Sequence, residues 1–192
     1  AVEEEEHTFH QEVYYPGALV ELHSEADGAW LPASIEGSGI FGADQFPCYK
    51  VVVTATKQVC DNIALSSLRS VFEEEETVSI FTASDKKWHP SVVLKSSEAG
   101  LVVALSGSGE LEVPAANVRA RYPKDSTVHV YGGRVEGWQE GVVVEEFEVA
   151  ATDPAKFPQW VEVSVQLFEG VSERVRVRVP SWRLRPVFVA TI

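Results

Sequence analysis

The chain has 192 residues, 45% hydrophobic and 23% charged, with five His, two Cys and no Met. Its formal net charge of −13 disfavours phosphate backbones and favours basic partners. No apolar run approaches the ~20 residues of a membrane span, the acidic start lacks the basic and apolar regions of a signal peptide, and the two cysteines, Cys48 and Cys60, are too few for a disulfide scaffold and fit a reducing compartment.

Residues 1–15 read as an acidic lead-in, with Glu3 to Glu6 as a dense run, and Val13-Tyr14-Tyr15-Pro16-Gly17 marks entry into the first module. The absence of Met even at position 1 reads as a piece of a longer protein. Ala18, Val20 and Leu22 alternate with polar neighbours, the period of a half-buried strand. Ser24 to Gly28 is turn-rich, and Leu31, Ala33 and Ile35 share one face of a second strand. Gly37 to Pro47 reads as a Gly-rich insertion. Strands follow around Tyr49, Val51 and Val53 and near Ile63, then a single helical turn at Ser66 to Arg69 and a closing strand at Ser70-Val71-Phe72.

The second stretch repeats this: Val78 and Ile80, a loop from Thr82 to Lys87, a strand from Val92 to Lys95, alternating Leu101, Val103 and Leu105, then Leu111 and Val113. A turn at Pro114 to Asn117 and a closing Val118 to Tyr122 complete it. Tyr122-Pro123-Lys124-Asp125 is the clearest linker. The third stretch has Val128 and Val130, a loop from Gly132 to Gly137, a strand at Val142 to Val144, and a Pro-containing insertion from Phe147 to Gln159. Alternating Val161, Val163 and Val165, then Val175, Val177 and Val179, lead to Pro180-Ser181-Trp182.

Three landmarks recur in fixed order. Val20, Val78 and Val128 each precede a tryptophan by ten residues: Trp30, Trp88 and Trp138. Each copy ends in an arginine six residues after an apolar position: Ile63 to Arg69, Val113 to Arg119, and Val179 to Arg185. This is an internal repeat. Nowhere is there a sustained helical period, so the expected fold is all-β: three tandem small, strongly bent barrels of about five short strands each. The expected modules are residues 1–72, 73–122 and 123–192, and modules this small should lean on one another.

A strand Val-x-Leu, an acidic turn with Gly, Trp30-Leu31-Pro32-Ala33-Ser34-Ile35, a Val-rich strand and a closing Leu68-Arg69 or Val118-Arg119 resemble the Agenet and Tudor modules of the chromatin-reader superfamily. The resemblance implies SH3-like or Tudor-like barrels and binding of a basic peptide bearing methylated lysine or arginine through an aromatic cage, since a methylated ammonium keeps its charge while losing hydration. Cage positions carried over fall on His23, Phe81 and Tyr131, on Leu31, His89 and Gln139, and near Thr54, Leu105 or Ser106, and Phe168. They suggest partial cages, Phe81 with His89 and Tyr131 with Phe168.

Each candidate has a plainer reading. Trp30, Trp88 and Trp138 either plug the open side of their barrels or touch ligand. Asp27, Asp85 and Glu136, in the first loop of each module, either meet a cation or simply populate turns. Trp160 and Trp182, without counterparts, serve an interface, a site or packing. Arg174, Arg176 and Arg178 share one strand face and either contact phosphates or pair with Glu162 and Glu173. The acidic runs at Glu3 to Glu6 and Glu73 to Glu76 either attract basic partners or are solvated linker.

Catalytic signals are poor: the histidines are scattered, and metal-ligand spacing and phosphate loops are missing from the pattern. The expectation is a non-enzymatic nuclear reader without cofactor or metal, binding a histone-type basic peptide, with other chromatin proteins as further partners. The rivals are a protein–protein scaffold with degenerate cages and, more weakly, a nucleic-acid binder through the arginine strip.

Overall fold

The computed structural model describes residues 13–26, 28–97, 100–105, 107, 109–148, 160–169 and 173–187. They form three separate five-stranded antiparallel sheets, each a small barrel-like unit, and among the described residues helix is confined to three single 3-10 turns.

The first unit comprises β1 (Leu19–Ser24), β2 (Ala29–Phe41), β3 (Pro47–Val53), β4 (Val59–Ala64), a 3-10 turn (Leu65–Ser67) and β5 (Leu68–Ser70). The second has β6 (Thr77–Thr82), β7 (Lys87–Ser97), β8 (Gly100–Ala104), β9 (Glu110–Val113), a 3-10 turn (Ala115–Asn117) and β10 (Val118–Ala120). The third has β11 (Thr127–Tyr131), β12 (Trp138–Glu148), β13 (Val161–Glu169), β14 (Glu173–Pro180), a 3-10 turn (Ser181–Arg183) and β15 (Leu184–Pro186). In each, the first strand lies between the second and the fifth, and the order runs on through the third to the fourth.

The long second strand makes the barrel possible. Its first half pairs with the first strand and its second half with the third. It bends between them at register shifts: Glu36/Ile40 in β2, Val93/Lys95 in β7 and Val143/Glu145 in β12. One extra residue in β7 and in β12, and two in β2, kink the strand at these bulges and increase its twist. Gly37 to Phe41, expected in an insertion, therefore belong to β2, with the bulge absorbing the glycines. The residue three past each tryptophan is small: Ala33, Ser91 and Gly141. A Cβ at Gly141 would stand 2.5 Å from Val165 Cγ1 and 3.0 Å from the Gln166 carbonyl.

The alternating valines fill the interiors. Val20, Val51, Val78, Val103, Val128 and Val165 are fully buried, each unit around its own cluster. The closing strands β5, β10 and β15 begin immediately after the 3-10 turns, two residues earlier in the first unit than the sequence suggested. There Leu68 pairs across to Leu22, continuing the core face. Cys48 and Cys60 are both free.

A further repeat lies before each first strand. Gly17, Glu75 and Asp125 all have positive φ, of 87°, 68° and 69°, and each donates its N–H to the bend of the second strand, at Ile35, Val93 and Val143. Those residues donate back to Ala18, Glu76 and Ser126. Three positions ahead of the positive-φ residue stand Tyr14, Phe72 and Tyr122, all buried.

Candidate functional site

Register fixes what each tryptophan faces. Trp30 pairs with His23, Trp88 with Phe81 and Trp138 with Tyr131, at centroid separations of 5.0, 5.5 and 5.1 Å. Successive strand residues alternate faces, so these pairs lie opposite the core face that holds Val20 and Leu22. The tryptophans thus stand on the outside of the sheet rather than plugging the barrel. Trp30 is 4% exposed, whereas Trp88 and Trp138 are half-buried.

The repeated arginine lies on that same outer face. Its guanidinium covers the tryptophan: Arg69 over Trp30 at 4.1 Å, Arg119 over Trp88 at 4.1 Å, and Arg185 over Trp138 at 4.8 Å. Two landmarks of the repeat are therefore the two halves of one cation–π contact.

Each arginine also reaches another unit. Arg69 pairs with Glu21 at 3.2 Å, donates to the carbonyls of Val118 and Ala115 in the second unit, and lies over Phe72 at 4.7 Å. Arg119 pairs with Glu148 of the third unit at 3.0 Å. Arg185 donates to the Val13 carbonyl and lies over Tyr14 at 5.3 Å. Tyr14 thus stands to Arg185 as Phe72 stands to Arg69, and the three units close in a ring. Tyr14, Phe72 and Tyr122 line a cavity of about 70 Å³ at its centre, together with Glu76.

The mouths of the three units differ. In the first, Trp160 of the third unit meets Trp30 edge-on at 5.3 Å and donates its indole N–H to the Ser66 carbonyl. In the third, the β2–β3 loop of the first unit moves in: Phe46 lies 6.0 Å from Tyr131 and 5.5 Å from Trp182. Arg183 lies over the Phe46 ring at 5.3 Å, and the Arg134 N–H donates to the Gln45 carbonyl. Tyr131 is fully buried and belongs to the first unit's core cluster, so it does not stand at an open mouth. Phe168, its expected cage partner, is 45% exposed on β13 beside Arg174 of β14.

In the second unit, Phe81 and Trp88 are half-buried, and Trp88 contacts Phe81 and Arg119 of its own unit. The loop beside them is built on Asp85, whose carboxylate accepts from the Thr82 hydroxyl and the Lys87 N–H and meets His89 Nε2 at 2.6 Å. The Thr82 hydrogen bond above all, then those from His89 and Lys87, holds this carboxyl below the usual range. His89 pairs with buried Ile80, so His89 and Phe81 leave opposite faces. The expected pairing of Phe81 with His89 is replaced by Phe81 with Trp88, and His89 is linked to the site through Asp85.

Among the remaining candidates, Glu136 is exposed and its charge acts on half-buried Arg183. Half-buried Trp182 packs on the first unit's core, and Asp27 lies outside the described residues. In the arginine strip, Arg178 pairs with Glu162 and lies over Phe147 at 4.0 Å. Among the described residues no group of three or more His, Cys, Asp or Glu is placed to hold a metal ion, and no helix is long and apolar enough to cross a membrane.

Phe46, Glu76 and the ring of Tyr14, Phe72 and Tyr122 escape a residue-by-residue reading. An aromatic six residues before each module's first valine was the available signal for the ring. No protein family matches the chain, and no curated protein matches it.

Proposed function

We propose that this protein is a non-enzymatic binding module that takes a basic, histone-type peptide at the mouth of the second unit. The supporting observation is the pairing of half-buried Phe81 and Trp88 on the outer face of β6 and β7, at the hairpin whose loop holds the fixed carboxylate of Asp85. Aromatic faces hold a methylated ammonium by cation–π attraction and apolar contact, and a carboxylate adds charge and accepts a remaining N–H. His89 braces that carboxylate. The corresponding aromatics Trp30 and Tyr131 are buried, with Trp160 and Phe46 packed against them, whereas Phe81 and Trp88 are each only half-buried, which favours the second unit as the reading site. On this reading the protein acts in the nucleus on chromatin.

The test is calorimetry of the whole chain with methylated and unmethylated forms of one histone-tail peptide. Phe81→Ala is expected to erase the preference for the methylated form, at a cost of about 0.5–2 kcal/mol, while leaving the melting temperature nearly unchanged. A preference that survives in Phe81→Ala removes the second unit as the reader.

The second reading, a protein–protein scaffold, is favoured by the commitment of all three tryptophans to the chain's own arginines. Under it neither peptide form binds at the Phe81 mouth. Nucleic-acid binding through the arginine strip is disfavoured by the pairing of Arg178 with Glu162 and by the net charge of −13.

A further inference from the structure

Glu76 occupies the position that Ala18 and Ser126 hold in the other two units, where a small residue closes the turn. A carboxyl there is not required by the turn. It is half-buried, and it accepts the Glu73 N–H at 2.9 Å. It contributes to the central cavity and to two open grooves.

One of these grooves, of about 360 Å³, runs between the segment entering β1 and the segment leaving β5. Its lips are apolar and open: Leu19 is 70% exposed, Tyr15 46% and Val71 38%. Single exposed apolar residues are ordinary, but three around one concavity mark a binding surface. Glu73 and Glu76 form the acidic wall, with Glu74 and Glu75 exposed beside them. Arg185, on the far wall, is engaged with the Val13 carbonyl and the rings of Tyr14 and Trp138.

We propose that this groove docks a partner peptide bearing an aliphatic side chain next to lysine or arginine, the aliphatic group between Leu19, Tyr15 and Val71 and the cation against Glu73 and Glu76. Charge selects the occupant. An acidic or neutral segment gains nothing from the Glu73 to Glu76 wall, whereas a cation there gains attraction from the exposed carboxylates of Glu73 to Glu75 and favours the ionised form of half-buried Glu76. The surface is separate from the Phe81 mouth and involves none of its residues.

The test uses the whole chain and a fluorescein-labelled peptide of alternating lysine and leucine, with two control peptides: serine replacing leucine, and glutamate replacing lysine. Wild-type protein is expected to bind the first at least tenfold more tightly than either control. Leu19→Glu and Glu76→Gln are each expected to weaken binding at least fivefold, with unchanged melting cooperativity, because Leu19 is solvent-facing and glutamine preserves the shape of Glu76. Phe81→Ala is expected to bind this probe as wild type does, which separates a failure here from a failure at the second unit's mouth.

No binding to wild type, or equal binding by Leu19→Glu and Glu76→Gln, overturns the proposal. So does light scattering that shows a dimer which Leu19→Glu dissociates, since the groove then serves a second copy of the chain.

Discussion

Arg185, in the last strand of the third unit, lies 5.3 Å from the ring centroid of Tyr14, at the threshold of the first, and donates to the neighbouring Val13 carbonyl across 172 positions of sequence. This contact turns three beads on a string into a closed ring. Arg185→Ala is expected to cost about 1–3 kcal/mol, the range of a charge-assisted hydrogen bond with a cation–π contact. Exposed Arg176→Ala should stay within about 0.5 kcal/mol of wild type. Urea denaturation measures both, and equal midpoints for the two variants would mean the ring closure contributes nothing.

The three tryptophans should not behave alike. Trp30 is buried under Arg69 and Trp160, so Trp30→Ala is expected to cost about 3–5 kcal/mol. Trp88 is half-buried and contacts its own unit's Phe81 and Arg119, so Trp88→Ala should cost roughly half as much. Matching losses of stability would contradict the burial seen here.

Gly141 of β12 pairs with Leu167 of β13. Gly141→Ala places a methyl 2.5 Å from Val165 Cγ1, and overpacking of this kind costs about 1–3 kcal/mol. The double variant Gly141→Ala with Val165→Ala relieves that contact and should lose less stability than the two single changes added together. Strict additivity in a double-mutant cycle would place the strain at the Gln166 carbonyl instead.

Burial pushes the Glu76 carboxyl up from 4.5 to about 7, with the Glu73 charge adding to the rise and the Glu73 N–H and Arg69 opposing it. The folded protein therefore retains a proton there that the unfolded chain has already released. The stability this contributes is complete below about pH 4.5 and is lost as pH rises through about 7. Glu76→Gln, which stays neutral, should flatten that part of the profile and melt higher than wild type at pH 8. Thermal melts of both proteins between pH 5 and 8 measure it, and parallel profiles would remove Glu76 from the account.

Much of the fold is legible in the sequence because strand alternation is a local property. Val20 and Leu22, or Val161, Val163 and Val165, declare a buried face through their own neighbours, and the repeated spacing of valine, tryptophan and arginine declares three units of one kind. The part of β2 from Gly37 to Phe41 is not legible, because glycines that mark a turn locally are accommodated in a strand once a bulge bends it around the barrel.

The site is less legible. The sequence supplied aromatics after each first strand and acids in each loop, but a mouth is open or closed according to what another unit places on it. Phe46 covers Tyr131 and Trp160 covers Trp30 from far along the chain, and nothing in the neighbourhood of either aromatic encodes that. The role of the tryptophans was likewise settled by register, since pairing Trp88 with Phe81 rather than with His89's partner puts it on the face where Arg119 lies. Sequence alone thus determined the kind of unit and its number, through short-range periodicity. Tertiary structure decided which aromatics another unit covers, because burial between units is a long-range property of the closed ring.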